Sequence, residues 1–233
     1  MGLLEFFGFR LPEMLITDVT RMRDDRVCVA GISGRKSVRL HEPPPTVELL
    51  ASLGGLTAGD VIRVQWRYSN RWTPPHKEDA RWRPATVDRR RRLSHAQQHE
   101  MLFGSAFASV TEAFGNLKYL SNRGNPAFPT QTGKRSLASI HATDVHVYRL
   151  ADGLRADFKD ARQGWRMLPV ESIAIREHFS ACAECRRTGE ARASSAILRV
   201  GLGRPFQPDG QEPACFAQVN CVVQADVAES HFA

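Results

Sequence analysis

Apolar residues in the first third of the chain come in short alternating runs separated by polar or glycine-containing turns, a pattern of period two that predicts β-strands. The runs fall at residues 14–19, 27–33 and 36–40, with R-D-D-R at 23–26 and S-G-R-K at 33–36 as hairpin-like connections. Pro43, Pro44 and Pro45 stop the third run, and residues 46–53 then suit a short helix ended by Gly54 and Gly55. Residues 60–68, D-V-I-R-V-Q-W-R-Y, read as a fourth strand that sends Val61, Arg63, Gln65 and Arg67 to one face and Ile62, Val64, Trp66 and Tyr68 to the other. A polar stretch follows to residue 81, with a fifth strand expected at 82–87. Ser94 reads as the cap of a helix running to about Phe103, and a second helical piece covers about 107–114 before Gly115.

The second half repeats the style. Strands are expected at 138–140, 144–150, 154–158, 165–168, 196–202 and 216–223, while 170–179 fits either a strand or a short helix. Five short strands around a small barrel form the OB plan. The favoured architecture is therefore mainly β with short α insertions, as two OB-like small β-barrels: residues 14–115 with a helical extension, a basic connecting loop at 116–137, and 138–225. A single β-sandwich with helical insertions is the alternative.

Charge sharpens this picture. The chain of 233 residues has a net charge of +7, which favours acidic partners, and nucleic acid before membrane. Residues 60–124 hold twelve Lys/Arg against six Asp/Glu, whereas 205–233 hold four acids and no Lys or Arg. The loop at 117–136 has Lys118, Arg123, Lys134 and Arg135, the rings Tyr119 and Phe128, and no acid. Three clusters suit a nucleic-acid strand. Trp66, Arg67 and Tyr68 with Arg71 and Trp72 offer rings for base stacking, although rings at alternate strand positions also fill barrel cores. Arg81 and Arg83 precede the run Arg89, Arg90, Arg91 and Arg92, whose guanidinium forks match phosphates or face solvent as a plain charged surface. Arg123, Lys134 and Arg135 are the phosphate candidates of the loop.

Five cysteines, an odd number, argue against a disulfide framework. His178-x3-Cys182-x2-Cys185 places three metal ligands in one local segment, and Cys215 or Cys221 is available as a fourth, which would make a structural Cys3His zinc site; two free thiols in a surface loop are the plainer reading. Cys28 and Cys221 sit in apolar strands as buried thiols. Asp144 with Asp157 and Lys159 has the loose form of a Mg²⁺-dependent nuclease site. His76, Glu78 and Asp79 are turn residues after Pro74 and Pro75 or, less simply, metal or acid–base groups. No G-x-S-x-G or H-E-x-x-H pattern occurs. Charges or prolines interrupt every apolar run, and residues 1–13, with no basic start, make a poor signal peptide, so the expected location is the cytoplasm without membrane association.

Several segments together carry a family resemblance. M-L-I-T-D-V-T-R-M and R-V-C-V-A-G-I within 14–32, H-K-E-D at 76–79, G-K-R-S-L-A-S-I at 133–140, and I-L-R-V-G-L-G-R-P-F with C-F-A-Q-V-N within 197–220 resemble the bacterial dual OB-containing domain family. The resemblance spans about residues 14–223. It implies two OB barrels and nucleic-acid binding in a bacterial defence or genome-conflict system, and brings no catalytic residues. Three function classes follow: a non-enzymatic nucleic-acid binder, an adaptor docking through its acidic tail and barrel faces onto a larger nuclease or helicase, and a Mg²⁺-dependent nuclease.

Overall fold

The computed structural model describes residues 11–121 and 124–224; Arg123, residues 1–10 and the acidic tail beyond 224 lie outside the described residues. The chain divides into two units, one running to Trp72 and resuming at Glu78–Leu93, the other comprising Thr73–Lys77 and everything from Ser94. Residues 94–115, grouped above with the first barrel, are thus counted with the second unit.

In the first unit β1 (Glu13–Arg21), β2 (Val27–Ser33) and β3 (Lys36–Glu42) form an antiparallel meander. Asp24 and Asp25 adopt positive φ in the first turn, a conformation their short polar side chains tolerate. Thr46 caps α1 (Val47–Ser52) by accepting from the Leu49 N–H at 3.1 Å. The strand expected at 60–68 forms as two pieces, β4 (Asp60–Arg63) and β5 (Trp66–Tyr68), interrupted at Val64 and Gln65. β4 pairs with β1, whereas β5 pairs with β6 (Asp79–Trp82), which runs parallel to β3. Consecutive pieces of one bent segment therefore serve both sides of the sheet, the closure an OB barrel requires. At the bend Gln65 donates its backbone N–H to Thr86 Oγ1 at 3.0 Å and accepts from the Arg83 N–H at 3.0 Å, so its backbone stays paired.

The expected strand at 82–87 does not form. Pro84 opens a 3₁₀ turn over Pro84–Thr86, and the chain resumes as β7 (Asp88–Arg92), an edge strand on β4. The strand supplied instead is β6, from the polar stretch before Trp82, because Asp79 pairs with Arg39 both in register and by a buried ion pair at 3.0 Å. Met14, Ile16, Val29, Val38, Leu40, Ile62, Val64 and Ala80 fill the interior. Gly31 lies where the first two strands cross most tightly: a Cβ there would collide with the Leu15 carbonyl oxygen.

The second unit has a seven-stranded sheet. Its meander is β10 (Leu137–Leu150), β11 (Gly153–Lys159) and β12 (Gly164–Pro169). The ambiguous segment 170–179 resolves as α4 (Ile173–Ala181), capped by Ser172, followed by α5 (Ala183–Thr188). β13 (Glu190–Leu202) returns along β10 and β14 (Ala214–Val223) pairs with it. A parallel bridge, Val170 to Val219, links the end of the meander to the last strand. The opening order is again meander, helix, then a strand on the first strand; the parallel partner of the third strand is β6 in the first unit, with β7 still to follow, whereas in the second unit the parallel bridge is made by the last strand, β14. Ahead of this barrel lie α2 (His95–Phe103), with a capping box between Ser94 and Gln97, and α3 (Val110–Phe114). The basic loop is in fact a hairpin, β8 (Tyr119–Leu120) and β9 (Pro126–Pro129), that extends the sheet beside β14. Phe128 is buried in the core it shares with Phe114, Ile140 and Val219.

No helix among the described residues is long and apolar enough to cross a membrane.

Removing Asp79 takes from the buried Arg39 the carboxylate that hydrogen-bonds it, with Glu78 still nearby, so Asp79→Ala is expected to cost up to about 3–5 kcal/mol. The denaturation midpoint measures this, and the Arg39→Met/Asp79→Leu double substitution should recover much of the loss; a single substitution with no shift would contradict the pair's role.

Candidate nucleic-acid interface and metal cluster

Strands β5 and β6 of the first unit place tryptophans opposite one another, Trp66 across from Trp82, and arginines likewise, Arg67 across from Arg81. Beside them a pocket of about 430 Å³ opens, a volume in the range of small-ligand sites. Its apolar wall is Trp66 and Trp82, and its polar lining is Glu42, Gln65, Arg81 and the guanidinium-bearing Arg67 and Arg83. Trp82 is buried, its indole N–H donating to the Pro43 carbonyl at 2.7 Å. Trp66 is half-buried and meets Tyr68 edge-on at 5.2 Å between ring centroids. Tyr68 is exposed and donates its hydroxyl to the Ser37 carbonyl at 3.1 Å. Tyr68 is thus open to solvent, whereas Trp66 lies at the margin of core and surface, its ring half-buried and its indole nitrogen enclosed.

The parallel register sets Glu42 opposite Arg81. Arg81 Nε donates to Glu42 Oε2 and the Ser69 hydroxyl donates to Oε1 at 3.0 Å. The Arg81 hydrogen bond holds the Glu42 carboxyl below its ordinary range, with Ser69 adding to it against a modest desolvation. Glu42 thus stays ionised in the pocket. Arg67 and Arg83 are exposed and have no acid partner among the described residues. Arg71 and Trp72 are exposed just beyond β5.

The arginine run behaves differently. All of Arg89, Arg90, Arg91 and Arg92 are exposed on β7, yet each has an acid neighbour. Arg89 reaches the buried Asp60 carboxylate at 2.7 Å and Arg92 approaches it at 3.6 Å; Arg90 holds Asp88 at 2.7 Å and Arg91 lies 3.5 Å from Glu13. Much of this run's charge is neutralised locally, and it also guards an edge strand against further pairing. In the second unit Lys134 is exposed, Arg135 stacks over the Phe107 ring at 4.4 Å, and Lys118 pairs with Glu212 at 2.6 Å. The position of Arg123 lies outside the described residues.

His178, Cys182 and Cys185 come together where α4 passes into α5, their ligand atoms all within 4.8 Å of one another. His178 Nε2 lies 3.5 Å from Cys185 Sγ, close to the edge of a tetrahedron built on metal–nitrogen and metal–sulfur bonds of about 2.0–2.3 Å. This cluster could hold a metal ion. Cys182 caps α5, and the Cys185 N–H donating to its sulfur lowers the Cys182 thiol, whereas burial pushes the Cys185 thiol up to about 11. Cys215 is a correction to the expected ligand set: it is fully buried on β14 with its sulfur 3.9 Å from His76 Nε2, outside the three-ligand cluster. Cys28 is half-buried, not buried, and Cys221 is buried.

The nuclease-like residues are engaged separately. Asp144 pairs with Lys159 at 2.9 Å, while Asp157 Oδ1 accepts from the Tyr148 hydroxyl at 3.0 Å and the Met167 N–H at 2.8 Å. Burial and that bond push the Tyr148 phenol up to about 12. His76, Glu78 and Asp79 are all buried, with Asp79 holding Arg39.

Two curled sheets, each a three-stranded meander followed by a helix and a strand paired on the meander's first strand, fit a tandem OB architecture. Residues 13–222 match the family model of the dual OB-containing domain, and the chain belongs to that family. No curated protein and no solved structure matches it.

Because the folded-state value of Glu42 is depressed, the stability its pair contributes is present above the unfolded carboxylate range and is lost as pH falls through the folded value. The exposure of both partners keeps this contribution small. Side-chain NMR titration should show Glu42 moving upward in Arg81→Met; an unchanged titration would contradict the assignment.

Proposed function

We propose that this protein is a non-enzymatic binder of single-stranded nucleic acid, and that the first-unit pocket receives one unstacked base. The observation that carries the reading is the grouping of a half-buried indole, Trp66, with two exposed arginines, Arg67 and Arg83, that have no acid partner among the described residues, around a pocket of about 430 Å³. Rings accept the face of any base, and unpaired guanidinium groups take the flanking phosphates at no cost in broken ion pairs. Arg71 and Trp72, exposed a few residues past β5, are further candidates for contacts with the strand. The arginines of β7 contribute a general field rather than specific recognition, since their acid neighbours already occupy them.

Binding of a fluorescent single-stranded oligonucleotide is expected to weaken steeply with salt. Trp66→Ala should cost about 1–3 kcal/mol. Arg67→Glu/Arg83→Glu should lower affinity more than tenfold and flatten the salt dependence, its slope falling by roughly 0.7 for each phosphate that is no longer neutralised. Arg90→Glu/Arg91→Glu should do much less. Salt-independent binding, or equal losses from both pairs of substitutions, contradicts this placement.

In the second unit we assign zinc as the ion for His178, Cys182 and Cys185, in a structural role that ties α4 to α5. Protein purified without chelator should carry close to one equivalent of zinc, and Cys182→Ser/Cys185→Ser should abolish it and lower the thermal midpoint. Wild-type protein that retains no zinc and is indifferent to chelator contradicts the assignment.

A further inference from the structure

We propose that the Trp66 pocket is selective for guanine, read on its Watson–Crick edge by the Glu42 carboxylate; this rests on the strand-binding reading above. A carboxylate is out of place in a site built only for phosphate, because it repels the anion that the arginines attract. Its presence in the lining is explained by a ligand that brings hydrogen-bond donors. Glu42 is held by Arg81 on one oxygen and by Ser69 on the other. An ionised carboxylate has about four acceptor sites, so with one bond accepted on each oxygen both keep acceptor capacity, while the Arg81 and Ser69 bonds hold the carboxylate in place.

Only one base presents two adjacent donors to such a carboxylate. Guanine offers N1–H and the N2 amino group side by side. Adenine and cytosine each place a single amino donor next to a ring-nitrogen acceptor, and thymine or uracil place one N–H between two carbonyl oxygens that the carboxylate repels. Gln65, also in the lining, has an amide whose N–H can meet the guanine O6. The indole wall is indifferent to base identity and supplies affinity; the carboxylate supplies the choice. The register makes this possible, since Glu42 reaches the pocket only because β3 and β6 run parallel with Glu42 beside Arg81.

The test uses the full-length protein and thymidine-tract oligonucleotides that carry one central guanine, adenine, cytosine or thymine, compared by competition. The guanine oligonucleotide should bind about tenfold more tightly than the others. Replacing guanine by hypoxanthine, which lacks the N2 amino group, should remove most of that preference with the protein unchanged, and 7-deazaguanine should keep it. In Glu42→Gln the guanine-to-thymine affinity ratio should fall towards one. Equal affinity for all four bases overturns the selectivity and leaves strand binding standing. Loss of the preference with 7-deazaguanine overturns the role of Glu42, because the Hoogsteen edge would then be read, as an arginine reads it. Failure of every oligonucleotide to bind overturns the strand-binding reading and this inference with it.

Discussion

The parallel pairing of β3 with β6 is the constraint on which the first unit depends. It is non-local, it joins a strand ending at Glu42 to one beginning at Asp79, and it is fastened by a salt bridge between Arg39 and Asp79 with both side chains buried. Burying charges is unfavourable unless they are paired, and this register sets the Arg39 guanidinium against Asp79, with Glu78 also near it. Slipping by one residue would separate the pair and turn the strand's faces inside out. The same register brings Glu42 to Arg81 and so places an ionised acid among the tryptophans and arginines of the pocket. Barrel closure and the chemistry of the candidate site thus come from one set of backbone bonds.

Electrostatics then separates two kinds of arginine that look alike in composition. On β7 the guanidinium groups answer the buried Asp60 carboxylate, Asp88 and Glu13, so their charge belongs partly to the fold. Around the pocket, Arg81 is tied to Glu42 whereas Arg67 and Arg83 are not tied to any acid among the described residues. An anion meeting arginines that hold no acid has no ion pair to break first, whereas one meeting a run of paired arginines does. Density of positive charge along the chain is therefore a poor guide to where a polyanion would sit.

How much of this was legible in the sequence follows from the range of each interaction. Period-two alternation located most of the strands, Ser94 and Thr46 announced their helices, and the dual OB order was readable from the spacing of short strands. The cluster of His178, Cys182 and Cys185 was visible because its ligands are local, one turn apart along α4 and α5. What sequence spacing could not reveal was long-range. Cys215 looked like a fourth ligand until β14 placed it beside His76. Residues 60–68 alternate as one strand, and nothing in that alternation says that Val64 and Gln65 bend it between two partners. Glu42 carried no signal as a site residue, since its partner lies 39 positions away. The basic loop read as a connection because its prolines and glycines hid a short hairpin that β14 completes.

The indole N–H signals of the four tryptophans give the most direct test of where a strand lies. Trp66 and Trp82 line the pocket, Trp72 stands exposed beyond β5, and Trp165 is buried in the second unit, donating to Asp160. Titration of the ¹⁵N-labelled protein with a single-stranded oligonucleotide should move the Trp66 resonance most, with Trp82 and Trp72 following and Trp165 unmoved. A saturable titration in which Trp66 and Trp82 stay fixed would contradict the account and put the binding surface elsewhere.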